Sequence, residues 1–583
     1  MASSGDCSED DGSISYGDYS EDDDCRNSIS SGDYSEDDGF SGCMSCGDYS
    51  EDDGFSGSIS SDDCSEDDGS ISSSDFSEDP PPSKKQEVSE VEGLQDDYIS
   101  QLPDALLVQI LSLLPTTEEA YATCVLSKGW QHLWTSVYNF YFSHFRGKSK
   151  RFLSFVDYVL AHSVASKIKK FEIHCSRLFK YKSQIGRWLR FAVDKNVEDV
   201  IIYSDPHVCI LPESFFTCSS LITLHLVESC LVSDIVIAWK SLTSIKLEDM
   251  VVVDAEIMNI LSGCPSLETI VFHKVGGFRR LEIKSSKVKS LALEGYWLDE
   301  GYWPDDDGSG SNRSFEIFAP YLQHLELSQD FYDFRCRLVD VSSLVDAKIT
   351  FDIKCFKEFQ DNPDQDSDDD EEEDDSCRDF HQGFKTLVQD YLQKLRCATK
   401  LTIGTWFTEV LCILQFKEVP IPDLKCKYLE LELHLEKFNL YGAAGLLRAS
   451  PLVETVIIDV ENQPFNDFRC RFEFGYLEKG DNIDLQRYIS SFVFPNLKKV
   501  KIVISPGMCL EDHLEWEYIR KLFQLSKFLL KNALVLEKFV IVSSRRRCEI
   551  CYTKCVSRYL SRLAKKLSNC PRSSANSVII FQE

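Results

Sequence analysis

Cys548, Cys551 and Cys555 have the spacing C-x2-C-x3-C, and Cys43 and Cys46 have C-x2-C. Thiolates so spaced hold zinc-like cations when a second pair or histidines converge on them. Cys43 and Cys46 stand alone in an acidic segment, and the other set lies in a helix-like basic run with Arg545, Arg546 and Arg547. Neither has a matching pair nearby, so structural or free thiols are expected, with no metal and no cofactor. "DDDGSGSNRSFE" has a calcium-loop spacing, with Asp305, Asp307, Ser309, Gly310 and Glu316 at the first, third, fifth, sixth and twelfth places. Asn312 takes the eighth place, where an apolar residue is usual, and both flanking helices are missing. A plain loop is therefore expected. No nucleophile-elbow, phosphate-loop or zinc-protease motif is present, so no catalytic residue is assigned and the chain is not expected to be an enzyme.

A second kind of chemistry is offered by serines. Ser8, Ser20, Ser35, Ser50 and Ser65 sit in repeated units such as "GDYSEDDG", 12 to 15 residues apart. Each has an acidic residue three places on (Asp11, Asp23, Asp38, Asp53, Asp68), the pattern acidophilic casein-kinase-type enzymes use. Ser77 has Pro80 there and departs from it. Phosphorylation would add about −1.5 to −2 charges per site. The alternative is an unmodified solvating tail.

These acidic units set the charge of the chain. Of the net −34, residues 1–79 contribute −24 and residues 361–377 contribute −11, leaving +1 for everything else. The folded part is thus nearly neutral and has no basic field for nucleic acid. A segment so charged and so poor in apolar surface cannot offset its ordering entropy, so residues 1–94 are expected to be a disordered tail. Residues 359–379, which hold "DQDSDDDEEEDD", are expected to be a disordered loop inserted in a globular region. No secretory signal and no run of about 18 apolar residues is visible. The 23 cysteines follow no disulfide framework, so a reducing compartment, nucleus and/or cytoplasm, is expected.

Between tail and remainder lies the leucine-dense stretch "ISQLPDALLVQILSLLPTTEEAYATCVLSKGWQHLW". Leu102, Leu106, Ile110, Leu113 and Leu114 recur at helical spacing, and Pro115 ends that run. Thr116 or Thr117 can cap a second helix with Glu118 and Glu119 in its first turn. "KGWQHLW" reads as a third helical turn. So few residues cannot bury their own apolar surface.

These residues resemble the F-box in its plant form, over about 40 residues. The likeness rests on the Leu-Pro start, the Leu-Leu-Pro break, the Val-Leu-Ser-Lys-x-Trp run and the second Trp. It implies a three-helix module, residues 95–142, docking on a Skp-family adaptor and through it on a cullin-RING ubiquitin ligase. Leu102, Pro103, Leu106, Ile110, Leu114, Pro115, Val125, Leu126, Trp130 and Trp134 would form its adaptor-facing and internal apolar set. Which of them face the partner is left open. Tyr98 and Gly129 depart from the basic residues usual there, and a glycine costs a helix interior about 1 kcal/mol.

From about residue 165 a unit of apolar, two variable, apolar, one variable, apolar recurs every 21 to 34 residues, as in "LITLHL" at Leu221 and "LTSIKL" at Leu242. Looser copies follow, to "LKKVKI" at Leu497 and "LEKFVI" at Leu536. Alternation marks a strand, and one strand per repeat makes a stacked solenoid. Phrases such as "ILSGCPSLETIVF" resemble degenerate plant leucine-rich repeats, spanning residues 143–480. "FLLKNALVLEKFVI" resembles the FBD region that follows such repeats, giving a C-terminal region at 481–583. The expected fold is α/β: a short three-helix F-box, an irregular repeat solenoid and the acidic tail.

Along the repeats, Thr223, His225, Ser244, Lys246, Thr269, His324 and Glu326 point outward from one face and are candidates for target binding. A plain solvated sheet face is the alternative. The resemblance implies a substrate receptor, recruiting a target protein for ubiquitination by a ligase that supplies the chemistry. A repeat scaffold, or an F-box protein acting outside a ligase, is the other reading. Neither nucleic acid nor membrane is expected as a partner.

Overall fold

The computed structural model describes residues 99 and 101–582, apart from 144–148, 176–177, 205–209, 232–234, 297–313, 333–334, 355–374, 417, 435–436, 461–492, 505–514, 543–546 and 549–550. The serine repeats, Cys43, Cys46, and residues 305–313 of the calcium-like stretch lie outside the described residues. So does most of the acidic insertion: residues 375–379, expected in that loop, instead begin the helix Asp375–Leu395.

The recurring unit becomes strand throughout. Among the described residues, fifteen strands, from Asn139–Ser143 to Val578–Gln582, pair in parallel in one long sheet, and a three-stranded parallel sheet accompanies them. Each of the fifteen follows its predecessor in sequence, apart from three strands diverted into the smaller sheet. The unit's three apolar positions are the inward ones. Leu221, Leu224 and Leu226 are buried, as are Val197, Val200 and Ile202 in the repeat before. A one-residue slip would turn these side chains to the open face, so the pattern also pins the register.

Returns cover the apolar face. The helix Asp254–Gly263 begins where Glu256 accepts a hydrogen bond from Val253 N at 3.0 Å. Asp254 accepts from Arg279 N and Arg280 N at 2.8 and 3.1 Å, tying this return to the next repeat. The Trp239 ring stacks on Phe216 and donates Nε1–H to Phe215 O at 2.7 Å. The helices Thr405–Phe416 and Lys437–Arg448 come closest. A Cβ added to Gly442 would stand 1.8 Å from Thr408 O, so only glycine permits that approach.

At the C-terminal end, the helix Glu515–Asn532 buries Leu525, Phe528 and Leu529 and is followed by the strand Lys538–Val542, as "FLLKNALVLEKFVI" suggests. The helix Cys555–Ser568 and the strand Val578–Gln582 complete the array.

Candidate functional site

The leucine-dense stretch folds as helix α1, Asp104–Leu111, with Pro103 at its N-cap, and helix α2, Thr117–Ala122. The Thr116 side chain accepts from Glu119 N at 3.1 Å and caps α2. Two short 3-10 turns follow, Thr123–Val125 and Leu133–Ser136. The expected third α-helix is therefore a 3-10 turn preceded by irregular chain. Gly129, whose added Cβ would meet only Ser127 Oγ at 3.6 Å, sits in that irregular chain. Its cost to a helix interior explains why no α-helix runs through it.

Helix α1 is apolar on both sides. Leu107 and Leu111 are buried with Trp130, Leu133 and Trp134. This inner side rests on the solenoid: Ser112 O accepts from Asn139 Nδ2 at 2.8 Å, and Thr117 Oγ1 accepts from Tyr141 N at 2.8 Å. Trp134 packs against Tyr121 and Tyr158, with ring centroids 5.1 and 5.9 Å apart. Leu106 and Ile110 point the other way, and with Leu113, Val125 and Leu126 they leave 42 to 83% of their surface open. Pro103 and Pro115 are exposed, while Leu102 and Leu114 are half-buried. The predicted apolar set thus divides: Trp130 and Trp134 belong to the chain's own core, and the open group gains Leu113.

The outward strand positions form continuous rows. Thr223, Ser244 and Thr269 stand in register, as do His225 and Lys246, and farther along His324 faces Asp346 and Glu326 faces Lys348. Sequence spacing missed the next row up, where Tyr203, Glu248, His273 and Glu294 lie; it is found by continuing each strand two residues further. These rows are paired internally. Glu248 accepts from Lys246 Nζ at 2.6 Å and from His225 Nε2 at 2.9 Å, and Glu172 accepts from Lys170 at 2.9 Å and His174 at 3.1 Å. Burial alone would raise both carboxyls, but these donors outweigh it and hold them below the usual range. Lys348 lies between Glu326 at 3.3 Å and Glu432 at 3.6 Å. Their carboxylates overcome its burial and raise its pKa. Thr223 donates to Asp199. An open depression of about 340 Å³ is lined by Ser290, His324, Glu326, Lys348, Lys400 and Glu432.

At the far end, Cys548, Cys551 and Cys555 place their three Sγ atoms within 4.8 Å of one another. Cys555 is the buried first residue of the helix Cys555–Ser568, and Cys548 and Cys551 lie in the chain just before it. The Thr553 hydroxyl, 3.2 Å from the Cys551 thiol, pulls that thiol down to about 7. Among the described residues, none of the helices is long and apolar enough to cross a membrane.

Residues 99–142 match the F-box domain model, and residues 185–306 match the model described as "FBD-associated F-box protein At5g56370, LRR repeats". The F-box/LRR-repeat protein At3g03360 of Arabidopsis thaliana is 29% identical over 375 residues, 62% of this chain and 70% of that one. The F-box/FBD/LRR-repeat protein At2g26030 of the same plant is 27% identical over 384 residues, 64% of this chain and 81% of that one. With an F-box seated on a parallel leucine-rich solenoid, a role in protein interaction follows: the chain carries an F-box and FBD-associated leucine-rich repeats, similar to those of plant F-box/LRR-repeat proteins.

Proposed function

We propose that this chain is the substrate receptor of a Skp-cullin-F-box ubiquitin ligase. The observation that carries the reading is the open apolar group Leu106, Ile110, Leu113, Val125 and Leu126, on a module whose opposite side is already covered by its own solenoid. Large exposed apolar side chains concentrated in one short module mark a protein interface, where single scattered ones do not. A Skp-family adaptor is the partner an F-box calls for. Leu102, Pro103, Leu114 and Pro115 neighbour this group in sequence, and Trp130 and Trp134 lie in the core on the module's inner side.

The target is held by the outward face of the sheet, from Thr223, His225, Ser244, Lys246 and Thr269 to His324 and Glu326. The face offers fixed, internally paired charges and a shallow depression, which suits a protein surface better than a small molecule. The mechanism is proximity: binding raises the local concentration of target lysines at the charged ubiquitin carrier. This chain supplies no reacting group. Ser8, Ser20, Ser35, Ser50 and Ser65 are its modification candidates.

The test is co-purification of the chain with a Skp-family adaptor and cullin, comparing wild type with Leu106→Asp plus Ile110→Asp. Loss of the adaptor from the double variant is expected. Unchanged recovery would overturn the docking surface. Accumulation of a bound protein when this chain is deleted then distinguishes a receptor from a scaffold.

A further inference from the structure

Three thiols from one short segment meet at the C-terminal end of the solenoid, and their spacing in the sequence does not by itself bring them together. The backbone does. Tyr552 adopts a positive φ of 56°, reversing the chain between Cys551 and Cys555. Tyr552 N donates to Cys548 O at 2.9 Å, and Cys548 N donates to Thr553 O at 2.8 Å. These two bonds fold Cys548 back over the start of the helix Cys555–Ser568. The result places Cys548, Cys551 and Cys555 Sγ within 4.8 Å of one another.

Tetrahedral zinc with thiolates at about 2.3 Å separates its sulfurs by about 3.8 Å. The observed grouping lies within about 1 Å of that, a shift that side-chain rotation supplies. A three-sulfur set excludes magnesium and calcium, which take oxygen ligands, and selects zinc or a similarly soft ion. Three thiolates around a divalent cation carry a net charge of about −1. Cationic neighbours are at hand to balance it: Arg558 Nη2 donates to Thr553 Oγ1 at 2.7 Å, within the same loop, and Arg547 precedes Cys548. Cys555, as the first residue of its helix, also meets the positive end of the helix dipole, which favours the thiolate.

We propose that Cys548, Cys551 and Cys555 form a zinc site with three protein ligands and a fourth, exchangeable position. No other histidine, cysteine or carboxylate joins the cluster among the described residues, and the fourth place goes to water or a further donor. The site links the chain leaving the strand Lys538–Val542 to the helix that packs under the final strand Val578–Gln582. It therefore fastens the last repeat of the solenoid, at the end opposite the F-box in the chain. Metal ligation replaces three S–H bonds by three metal–sulfur bonds and releases the thiol protons to solvent.

The experiment uses the full chain, purified under reducing conditions. Its metal content is measured, and the metal-stripped chain is titrated with cobalt(II). One tightly bound zinc per chain and a sulfur-to-cobalt charge-transfer band are expected. Cys551→Ser, at a half-buried position, and Cys548→Ser are each expected to abolish both signals while circular dichroism stays unchanged. The variants also separate this site from the other cysteines of the chain. Zinc content and cobalt band unaffected by both substitutions would overturn the proposal. So would a metal-free wild-type chain that gives no cobalt band, or a Cys548–Cys551 disulfide recovered from chain purified with zinc present.

Discussion

The imidazole Nε2 of His225 and the carboxylate Oε2 of Glu248 meet at 2.9 Å across neighbouring strands, on the open face of the sheet. A carboxylate only accepts, so the neutral ring carries its hydrogen on Nε2. Partial burial pushes the His225 pKa down, Glu248 pulls it up, and Lys246 pushes it down again; the net result lies below the ordinary 6.5. The unfolded chain therefore takes up this proton more readily than the folded one, and stability is lost as pH falls below about 6.5. Glu248, whose pKa is also lowered, adds a second loss further down, as pH falls below 4.5. Denaturant unfolding at pH 5.5 and 7.5 is expected to show a smaller difference in His225→Gln than in wild type. An identical difference would show that His225 contributes no part of the acid sensitivity.

The two sides of the F-box predict opposite outcomes for substitutions a few residues apart. Val125 and Leu126 are 83 and 64% exposed, so Val125→Asp and Leu126→Asp should leave stability within about 0.5 kcal/mol of wild type. Removing an apolar anchor from an interface should weaken adaptor binding at least about tenfold. Trp130 is 6% exposed and lies in the chain's own core, so Trp130→Ala should cost about 3–5 kcal/mol. Thermal unfolding and adaptor titration on the same three proteins check both halves. A stable Trp130→Ala chain that fails to bind would place that ring in the interface instead.

Why the sequence left these sides unseparated is visible in α1. "DALLVQIL" is apolar nearly all round, so helical spacing selects Leu106 and Ile110 as readily as Leu107 and Leu111. Only the seat on Asn139 and Tyr141 decides which pair is inward. The repeats were far more legible, because a unit such as Leu221, Leu224, Leu226 has just one register that buries all three. The strand Lys400–Ile403 stands out less in the sequence since its leading apolar residue is the small Ala398, and Asn139–Ser143 since it falls almost wholly within the residues assigned to the F-box. The three-cysteine cluster was legible as spacing but not as a site. Its convergence depends on the left-handed backbone at Tyr552, for which the sequence carries no glycine or asparagine signal.

One buried tyrosine ties the two sheets' supports together. Tyr391, on the helix Asp375–Leu395, donates its hydroxyl to Cys336 O at 2.7 Å on the strand Arg335–Asp340. Burial holds that phenol well above the ordinary tyrosine range, so it stays a donor at any working pH. Tyr391→Phe keeps the packing and removes the donor, and should cost about 0.5–1.5 kcal/mol. Adaptor binding should not change, since α1 and α2 are untouched. A loss near zero in denaturant unfolding would mean that Cys336 O is satisfied without the tyrosine.

The approach of the two late helices gives the sharpest steric prediction. Gly442 lies in Lys437–Arg448 and faces Thr408 in Thr405–Phe416, where an added Cβ would come within 1.8 Å of the Thr408 carbonyl oxygen. In an exposed helix interior, glycine to alanine is stabilising, by about 1 kcal/mol. Here the methyl group meets backbone that no rotamer change can move, so the helices must separate and the apolar residues between them lose contact. Gly442→Ala should therefore destabilise by about 1–3 kcal/mol, against the sign of its helix propensity. Denaturant midpoints for wild type and variant check it, and a gain in stability would show that the helices sit further apart than described.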